Sequence, residues 1–381
     1  MVLFINNKEQ AESITHEEAI LAIREGLRQY AQGNAIRRPR IDNFVPTKNS
    51  RDYFCFSSME GGIKNGYYAL RIKPDIMDWP VIGDTRRKIT YCSKPGTYGG
   101  LVFIFDINNA ELLAIMNDGF VQHLRVAASA AVGVDYLARQ DSEVMGVIGS
   151  GGMARSFVPA FCTVRDVNKV KVYSKNRHNV EQYAEEISRH AGKDVVVKDN
   201  AESVVRGSDI VCVCTNSTQP VINAAWVDDG AHIANVVWGE MGSDTYERVD
   251  AFGLLVRRKP IAVAELFDEG FALRSHALSY AAGSQEERSR IPNGRYSWDF
   301  SKARYVDCIN WDTGEKYKRL SGEVTMLAGN SNGTVYCDAG ASNGIQGIQF
   351  ASIGGKIYEN ALIKGIGKQL PLEMFLQDIP T

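Results

Sequence analysis

The sequence has no long apolar run, no block of like charges and no zinc-type cysteine spacing, and each absence excludes a class of protein. No apolar stretch reaches the roughly 18–20 residues that a membrane-spanning helix needs. Lysine and arginine number 43 against 45 aspartates and glutamates, so neither nucleic acid nor a membrane is expected as the main partner. The N-terminal MVLFINNKEQ lacks the pattern of a secretory leader, and we expect a cytoplasmic protein.

The seven cysteines are an odd number, and none of their spacings is typical of a zinc site. Cys212 and Cys214 lie in DIVCVCT, a stretch typical of a buried strand, where they are too close along the chain for an easy disulfide. We therefore predict reduced, buried thiols and no metal site.

At 381 residues the chain is too long for one ordinary core, and two domains are expected. The pattern of the residues before Val144 predicts a small α+β domain. It opens with a helix from about His16 to Gln32, behind a Thr15 cap with Glu18 three residues on. Strand-like runs follow, separated by glycine-containing turns: YFCFSS, YYALRIK and GLVFIFDI.

From Val144 the pattern changes to strands that alternate with helices, which predicts a doubly wound parallel sheet of the Rossmann type. The strands are VMGVIGS, KVKVYS, DVVVK, DIVCVCT, AHIANVV and FGLLV. An alanine-rich helix capped by Asp118 precedes them. Residues from about 283 to 318 are polar and without period, which predicts a surface insertion or a long loop. The segment from Gly340 to Leu376 predicts a glycine-interrupted helix and a tail.

A G-x-G-x-x-A motif directly follows the first of these strands and opens a predicted helix, which is the context that a dinucleotide site needs. Gly149 would make the tight turn, Gly151 would let the backbone approach the pyrophosphate, and Ala154 would keep the helix close to the strand. The alternative is a glycine turn that binds nothing. Residues in the motif and after two later strands are the cofactor-binding candidates: Gly149, Gly151, Gly152, Met153, Ala154, Thr215, Asn216, Val237 and Trp238.

The turn after the second strand indicates which dinucleotide binds. NAD-specific sites usually place a carboxylate there to bind the ribose 2′-hydroxyl. Here the turn contains Ser174, Lys175 and Arg177, which could bind a 2′-phosphate. NADP(H) is therefore favoured over NAD(H), and the alternative is an ordinary solvated basic turn.

Several cations and one carboxylate are candidates for the substrate site. Arg125 lies among small apolar residues of a helix, where a guanidinium must find a partner. Arg71 and Lys73 alternate on one strand and share a face, and Arg40 lies in an extended segment. Together these cations would suit a substrate carboxylate, although each could be a surface charge. Glu240 follows a Rossmann strand at the ligand-binding edge and could exchange a proton, or it could be a solvated loop carboxylate.

Taken together, these segments resemble the ornithine cyclodeaminase/mu-crystallin family. The similarity covers about residues 15 to 255 and 320 to 370, and rests on IFDINNAELLAIMNDGFVQHLRVAASAAVGVDYLAR, VIGSGGMA, DIVCVCTNSTQPVI and HIANVVWGEMGSDTYERVD. The resemblance implies a homodimer. It also implies a substrate-binding and dimerisation domain made of residues 1–128 and 331–381, with a Rossmann domain, residues 129–330, inserted between them.

The resemblance also implies site residues. Arg40 and Arg125 correspond to the arginines that hold the substrate carboxylate, and the family lysine falls at Arg71 or Lys73. Glu240 and Lys73 are the catalytic candidates. Two departures from the family pattern are present: valine follows Arg125 where the family reads RTAA, and Trp238-Gly239-Glu240 stands where the cyclodeaminase has a GGD-like motif. The second, a longer carboxylate behind a bulky tryptophan, puts ornithine itself in doubt.

Three functions remain open for a small amino, imino or keto acid ligand. The favoured one is an oxidoreductase that interconverts an amino acid and its imino or keto partner by hydride transfer. The second is a redox-neutral cyclodeaminase. The third is a non-enzymatic binder of NADPH and a small ligand, as mu-crystallin suggests.

Overall fold

The computed structural model describes residues 1–49, 51–82, 85–86, 88–217, 219–256, 271–274, 277–292, 302–328, 334–336 and 342–379. The chain forms two compact units. Unit 1 comprises residues 1–125, 261–295 and 343–381, and unit 2 comprises residues 126–260 and 296–342. Within the described ranges, no helix combines the length and the apolar character that crossing a membrane requires.

The strands, in chain order, are β1 Val2–Ile5, β2 Ala35–Pro46, β3 Tyr53–Ile63, β4 Tyr67–Asp78, β5 Val81–Ile82, β6 Thr85–Arg86, β7 Ile89–Tyr91, β8 Leu101–Asp106, β9 Leu112–Asn117, β10 Val144–Ile148, β11 Lys169–Tyr173, β12 Asp194–Val197, β13 Ile210–Val213, β14 His232–Asn235, β15 Ala251–Leu254, β16 Phe271–Arg274, β17 Ala277–Ala281, β18 Tyr305–Asp307, β19 Thr325–Leu327, β20 Thr334–Tyr336, β21 Ser342–Gly344 and β22 Lys368–Leu370. The helices are α1 Asn7–Ser13, α2 His16–Ala31, α3 Asp118–Leu137, α4 Gly152–Cys162, α5 Arg177–Ala191, α6 Ala201–Val205, α7 Ser243–Glu247, α8 Gln285–Ser289 and α9 Gln346–Lys364. Short 3-10 helices cover Ala224–Trp226, Trp238–Glu240 and Leu372–Phe375.

Unit 1 is built on a mixed sheet whose strand order is β16-β17-β2-β3-β4-β8-β9-β1-β22, with β7 beside β4. The predicted helix near the N-terminus is confirmed as α2, and Thr15 and Glu18 form the expected capping box. The strands β2, β3 and β4 run antiparallel, and along much of β3 and β4 fully buried residues alternate with half-buried ones, because one face of the sheet is covered more completely than the other.

Helix α9 covers one face of this sheet, and its glycines allow a close approach. A Cβ at Gly347 would overlap the carbonyl group of Glu60 on β3, and a Cβ at Gly355 would overlap the ring of Tyr67 on β4. The glycines that interrupt the helical pattern in the sequence are therefore the residues through which the helix touches the sheet.

Unit 2 contains the predicted doubly wound sheet, and this fold class is confirmed. Its order is β12-β11-β10-β13-β14-β19-β15-β18, and every pairing recorded in it is parallel. The chain order reverses at β10, which has β11 on one side and β13 on the other. In such sheets, ligands bind outside the carboxyl ends of the strands at this reversal.

Helix α3 is held firmly at both ends. In unit 1, Asn7 and Gln10 accept hydrogen bonds from the backbone N–H groups of Phe120 and Val121, which lie in its first turn. In unit 2, the buried guanidinium of Arg165 donates to carbonyl oxygens at its last turn. This fixes the helix that carries Arg125.

Three features differ from the sequence-based prediction. Residues 261–295 belong to unit 1, although the sequence assigned them to the domain at 129–330, because β17 pairs in parallel with β2. Unit 1 is also not the smaller unit, since its described sheet has ten strands against eight. The predicted polar insertion contains α8 and β18 rather than only loop, and its residues 293–301 lie outside the described part of the chain.

Candidate functional site

The glycine motif of unit 2 forms a tight turn between β10 and α4. Gly149 has φ +112°, a conformation that side chains rarely allow, and its N–H donates to the carbonyl oxygen of Tyr173 at 2.9 Å. A Cβ there would overlap the carbonyl oxygen of Cys214 and lie 2.9 Å from its carbon. Glycine is therefore required at position 149 by the ends of β11 and β13, which close around the turn.

Gly151 meets a different environment. It precedes α4 with φ −85°, and an added Cβ would have no heavy atom of the described protein within 4 Å. Among the described residues no side chain caps this helix start, so the first N–H groups of the 11-residue helix α4, at the positive end of its dipole, have no capping side chain. This is the arrangement that accepts a pyrophosphate, and the residues present fit a dinucleotide. Gly152 and Met153 begin the helix, and Ala154 is buried.

The basic turn adjoins the glycine turn, because Tyr173 ends β11 and Ser174 follows it. Ser174 is half-buried and Lys175 is exposed. Arg177 pairs with Glu181 at 2.6 Å and with Asp199 at 3.2 Å. Lys175 is therefore the better placed of the two cations for a phosphate, since Arg177 is held by two carboxylates.

Glu240 is fully buried in unit 2, and its carboxylate accepts hydrogen bonds from three backbone N–H groups. Oε2 accepts from Val237 at 2.8 Å and from Val236 at 3.2 Å, and Oε1 accepts from Thr215. Burial raises the pKa of Glu240 to about 7, and the three N–H donors oppose this rise. Sequence reasoning could not have found these contacts, because every residue except proline carries a backbone N–H.

The other cofactor candidates follow the ends of β13 and β14. Thr215 is half-buried, while Asn216 and Val237 are exposed. Trp238 begins a 3-10 helix, and its side chain lies outside the described part of the structure. These residues therefore lie at the carboxyl edge of the sheet, where the sequence placed them.

The cations of unit 1 lie on one face of its sheet. On β4, Arg71 and Lys73 share a face as predicted, and the register sets Lys73 beside Ser57 of β3, which is beside Asp42 of β2. Arg40 donates to Asp42 at 2.6 Å and to Ser57 at 2.9 Å. Neighbouring strands therefore place Arg40 and Lys73 on either side of Ser57, on the same face of the sheet.

Arg71 and Arg125 lie deepest in this group, at 4% and 1% exposure. Arg71 donates through two nitrogens to Asp118, at 3.0 and 2.5 Å. Arg125 donates to the amide oxygens of Gln349 at 2.8 Å and Gln122 at 3.1 Å. Both guanidinium groups lie near the ring of Phe350 on α9, at 5.8 and 5.4 Å from its centre.

Burial, followed by repulsion from Arg71 and Arg40, holds the pKa of Arg125 well below its usual range. An anion bound close by would offset both effects. Three carboxylates balance part of the charge: Asp42 with Arg40, Asp118 with Arg71, and Asp75 with Lys73 at 2.8 Å. These four cations and three carboxylates have a net charge of one positive unit.

Sequence reasoning missed the three carboxylates, although a signal was present. In Arg40-Ile41-Asp42 and in Lys73-Pro74-Asp75, a cation and an acid are two residues apart on one strand. Side chains two apart share a face, so the spacing could have predicted the pairs. The pairing of Asp118 with Arg71 joins residues 47 positions apart and had no local signal.

Comparison with known proteins shows what part of the chain is similar to. The model of the ornithine cyclodeaminase/mu-crystallin family matches residues 90–254, from β7 through β15. The predicted resemblance to this family is confirmed. The matched range includes Arg125, the glycine motif, the basic turn and Glu240. It therefore contains most of the candidate site residues of this chain.

An uncharacterised cyclodeaminase of Sinorhizobium fredii is 23% identical over 248 residues, or 65% of this chain and 70% of its own. The ketimine reductase mu-crystallin of Rattus norvegicus is 30% identical over 132 residues, or 35% of this chain and 41% of its own. The chain therefore matches less than half the length of the rat mu-crystallin.

A solved structure shows a similar fold over nearly the whole chain. The Δ1-pyrroline-2-carboxylate reductase of Thermococcus litoralis, determined with NADH and L-proline, has a TM-score of 0.67 at 19% identity. The likeness covers 97% of this chain and 100% of that one, and it extends the shared fold beyond residues 90–254.

Proposed function

We propose that the protein is an NAD(P)H-dependent oxidoreductase that interconverts a small amino acid and its imino or keto partner. The observation that supports this most strongly is the pairing of two features in one chain. Unit 2 has a dinucleotide turn with open space at Gly151, and unit 1 has a buried arginine group with one net positive charge. The first suits a nicotinamide dinucleotide and the second suits a carboxylate.

In this proposal, unit 2 binds the dinucleotide. Gly149 and Gly151 shape the turn, and the first N–H groups of α4 bind the pyrophosphate. The chain segments after β13 and β14 complete the site with Thr215 and Val237. When bound, the reduced cofactor supplies the hydride that converts a C=N bond to an amine.

Unit 1 binds the substrate carboxylate. Arg125 and Arg40 are the proposed ligands of the carboxylate. Arg71, which is paired with Asp118, adds a nearby positive charge. Lys73 is the candidate proton donor in this unit, because its ammonium group lies 2.8 Å from Asp75 and is partly exposed. Reduction of an imine needs one proton on the nitrogen for each hydride on the carbon.

The activity test is NADPH or NADH oxidation with a panel of cyclic imino acids, and with 2-oxo acids plus ammonia or an amine. We expect cofactor oxidation with at least one imino or keto acid that carries a carboxylate, and none with the matching amide. Each turnover should consume one reduced cofactor. Absence of oxidation across the panel would contradict the proposal.

A cyclodeaminase is the second candidate, because the Sinorhizobium relative bears that name and matches 65% of the chain. It would release ammonia from a diamino acid with no net change in the cofactor. The same panel separates the two functions if ammonia is measured beside NADPH. Tight cofactor binding with neither reaction would indicate a binding protein of the mu-crystallin kind.

We infer a preference for NADPH over NADH of about tenfold or more, because one charged contact to a phosphate contributes roughly 1.5–3 kcal/mol. Lys175 is the main source of this preference, since Arg177 is held by Glu181 and Asp199. Dissociation constants for both cofactors at moderate salt test this.

Lys175→Ala should remove most of the preference by weakening NADPH alone. Lys169→Ala is the matched control, because Lys169 is exposed at the opposite end of β11 and should leave both affinities unchanged. Equal affinities of the unaltered protein for the two cofactors would show that the basic turn contacts only solvent.

We also propose that the protein is a homodimer, as the family resemblance implies. Val45 and Phe54 are paired across β2 and β3 in unit 1, and 47% and 38% of their surfaces are exposed. Apolar residues that are adjacent and exposed on a sheet are suited to burial against a second copy. The mass in solution tests this, and a monomer would contradict it.

A further inference from the structure

The contacts of Glu240 indicate a role other than the proton exchange that the sequence suggested. Thr215 lies just beyond β13, and Val236 and Val237 lie just beyond β14. Because all three donate backbone N–H groups to the one carboxylate, Glu240 ties together the segments that leave two neighbouring strands. Both segments contain cofactor candidates.

The backbone around Glu240 joins a third segment to the same point. The carbonyl oxygen of Glu240 accepts the N–H of Val221 at 2.9 Å, and the next residue, Met241, forms a bridge with Ile222. Glu240 therefore lies where three chain segments of unit 2 meet. A change at its side chain would move the loops rather than a single surface group.

The geometry also specifies which side chain fits. Three N–H donors converge on two oxygens, so the group between them must only accept hydrogen bonds. Aspartate has the oxygens but is one methylene shorter. Glutamine has the length, but its NH₂ group would face N–H donors and could not accept from them.

We propose that Glu240 is a positioning residue that holds the loops after β13 and β14 in the shape that binds the dinucleotide, and that it does not exchange a proton with the substrate. The three N–H groups occupy three of the roughly four acceptor positions of the carboxylate, and the side chain of Thr215 hydrogen-bonds to it as well, so this buried group has little capacity left to accept a substrate proton. The inference rests on the proposed function, because it takes these loops to contact the cofactor.

A pH profile is needed to separate the two roles. Burial raises the pKa of Glu240 to about 7, a value that would also suit a proton carrier near neutral pH. A proton carrier sets an inflection in the dependence of kcat on pH. A positioning residue instead changes cofactor affinity and leaves the inflections of kcat at saturating cofactor where they were.

The experiment compares Glu240→Gln and Glu240→Asp with the unaltered protein. We expect the dissociation constant for the preferred cofactor to rise at least about tenfold in both, because each variant loses hydrogen bonds to a buried charged group. At saturating cofactor, kcat should stay within about threefold and keep its pH inflections. An unchanged dissociation constant, with kcat about 100-fold lower or a lost inflection, would overturn the proposal.

Two controls keep the outcome decisive. Glu247→Gln changes an exposed glutamate on α7 and should alter neither quantity. If the Glu240 variants fail to fold, hydrogen exchange on the unaltered protein replaces them: the amides of Thr215 and Val237 should exchange slowly with and without cofactor, whereas the amide of Val236 is not informative because it also donates to the carbonyl oxygen of Val213. Fast exchange at both Thr215 and Val237 would overturn the proposal. Failure of the unaltered protein to bind either dinucleotide would overturn the proposed function and this inference with it.

Discussion

Arg125→Lys is expected to lower kcat/KM for a carboxylate substrate by about 100-fold or more, equivalent to roughly 2.7 kcal/mol of transition-state stabilisation. Arginine can hold a carboxylate through two parallel hydrogen bonds while it also donates to Gln349 and Gln122. Lysine has three N–H donors on one nitrogen, so it cannot form the parallel pair of bonds to a carboxylate and keep both glutamine contacts. A buried lysine beside Arg71 and Arg40 would also lose its proton more readily than arginine.

Steady-state kinetics and a separate cofactor titration check this prediction. Cofactor affinity should change little, because the dinucleotide turn belongs to unit 2 and Arg125 to unit 1. Arg28→Lys is the matched control, since Arg28 lies on α2, outside the cation group, and its ion pair with Glu25 at 2.5 Å is a partly exposed one, of a kind that contributes little to stability. Near-full activity of Arg125→Lys would mean that the arginine supports the fold and that the carboxylate binds elsewhere.

Gly149→Ala is expected to weaken cofactor binding by about 100-fold or more and to destabilise unit 2 by about 2–4 kcal/mol. The φ of +112° is strained for alanine, and the new methyl group would overlap the backbone of Cys214. The turn would have to leave the end of β13, and the first N–H groups of α4 would move with it. Calorimetric unfolding and cofactor titration measure the two effects.

Gly151→Ala separates binding from stability. Its φ of −85° is ordinary for alanine, and the added methyl group meets open space, so stability should stay within about 0.5 kcal/mol. Cofactor affinity should still fall about tenfold or more, because the methyl group enters the space where the pyrophosphate approaches the backbone. Unchanged affinity would show that the phosphates do not lie against Gly151.

The parallel sheet could be predicted because its main strands are buried on both faces and appear as apolar runs. Strands β10 to β15 lie where those runs lie. Strands β18 and β19 were missed, since each has three residues and takes its place from its neighbours: β19 lies between β14 and β15. A segment so short has no period of its own to detect.

Candidate site residues could be proposed from the sequence where residue type alone carries the information. A cation or a glycine in a motif is visible in the sequence, and Gly149 has the left-handed conformation that its motif requires. The partners were not visible. Nothing local marks Asp118 as the counterion of Arg71, and nothing marks three backbone N–H groups as the ligands of Glu240.

The position of α9 has a consequence for the order in which a newly made chain can fold. About 290 residues separate the end of β4 from the end of the helix that covers it. At about 5–20 residues per second, a ribosome needs roughly 15–60 s to make them. The whole sheet of unit 2, Val144–Leu327, is made during that interval and can close first. The sheet of unit 1 meanwhile leaves the ribosome with an uncovered apolar face, and β1 cannot pair with β22 until the end of the chain is made. A chain broken before Gln346 keeps that face uncovered, so this half of the molecule is the one that chaperones and proteases will meet.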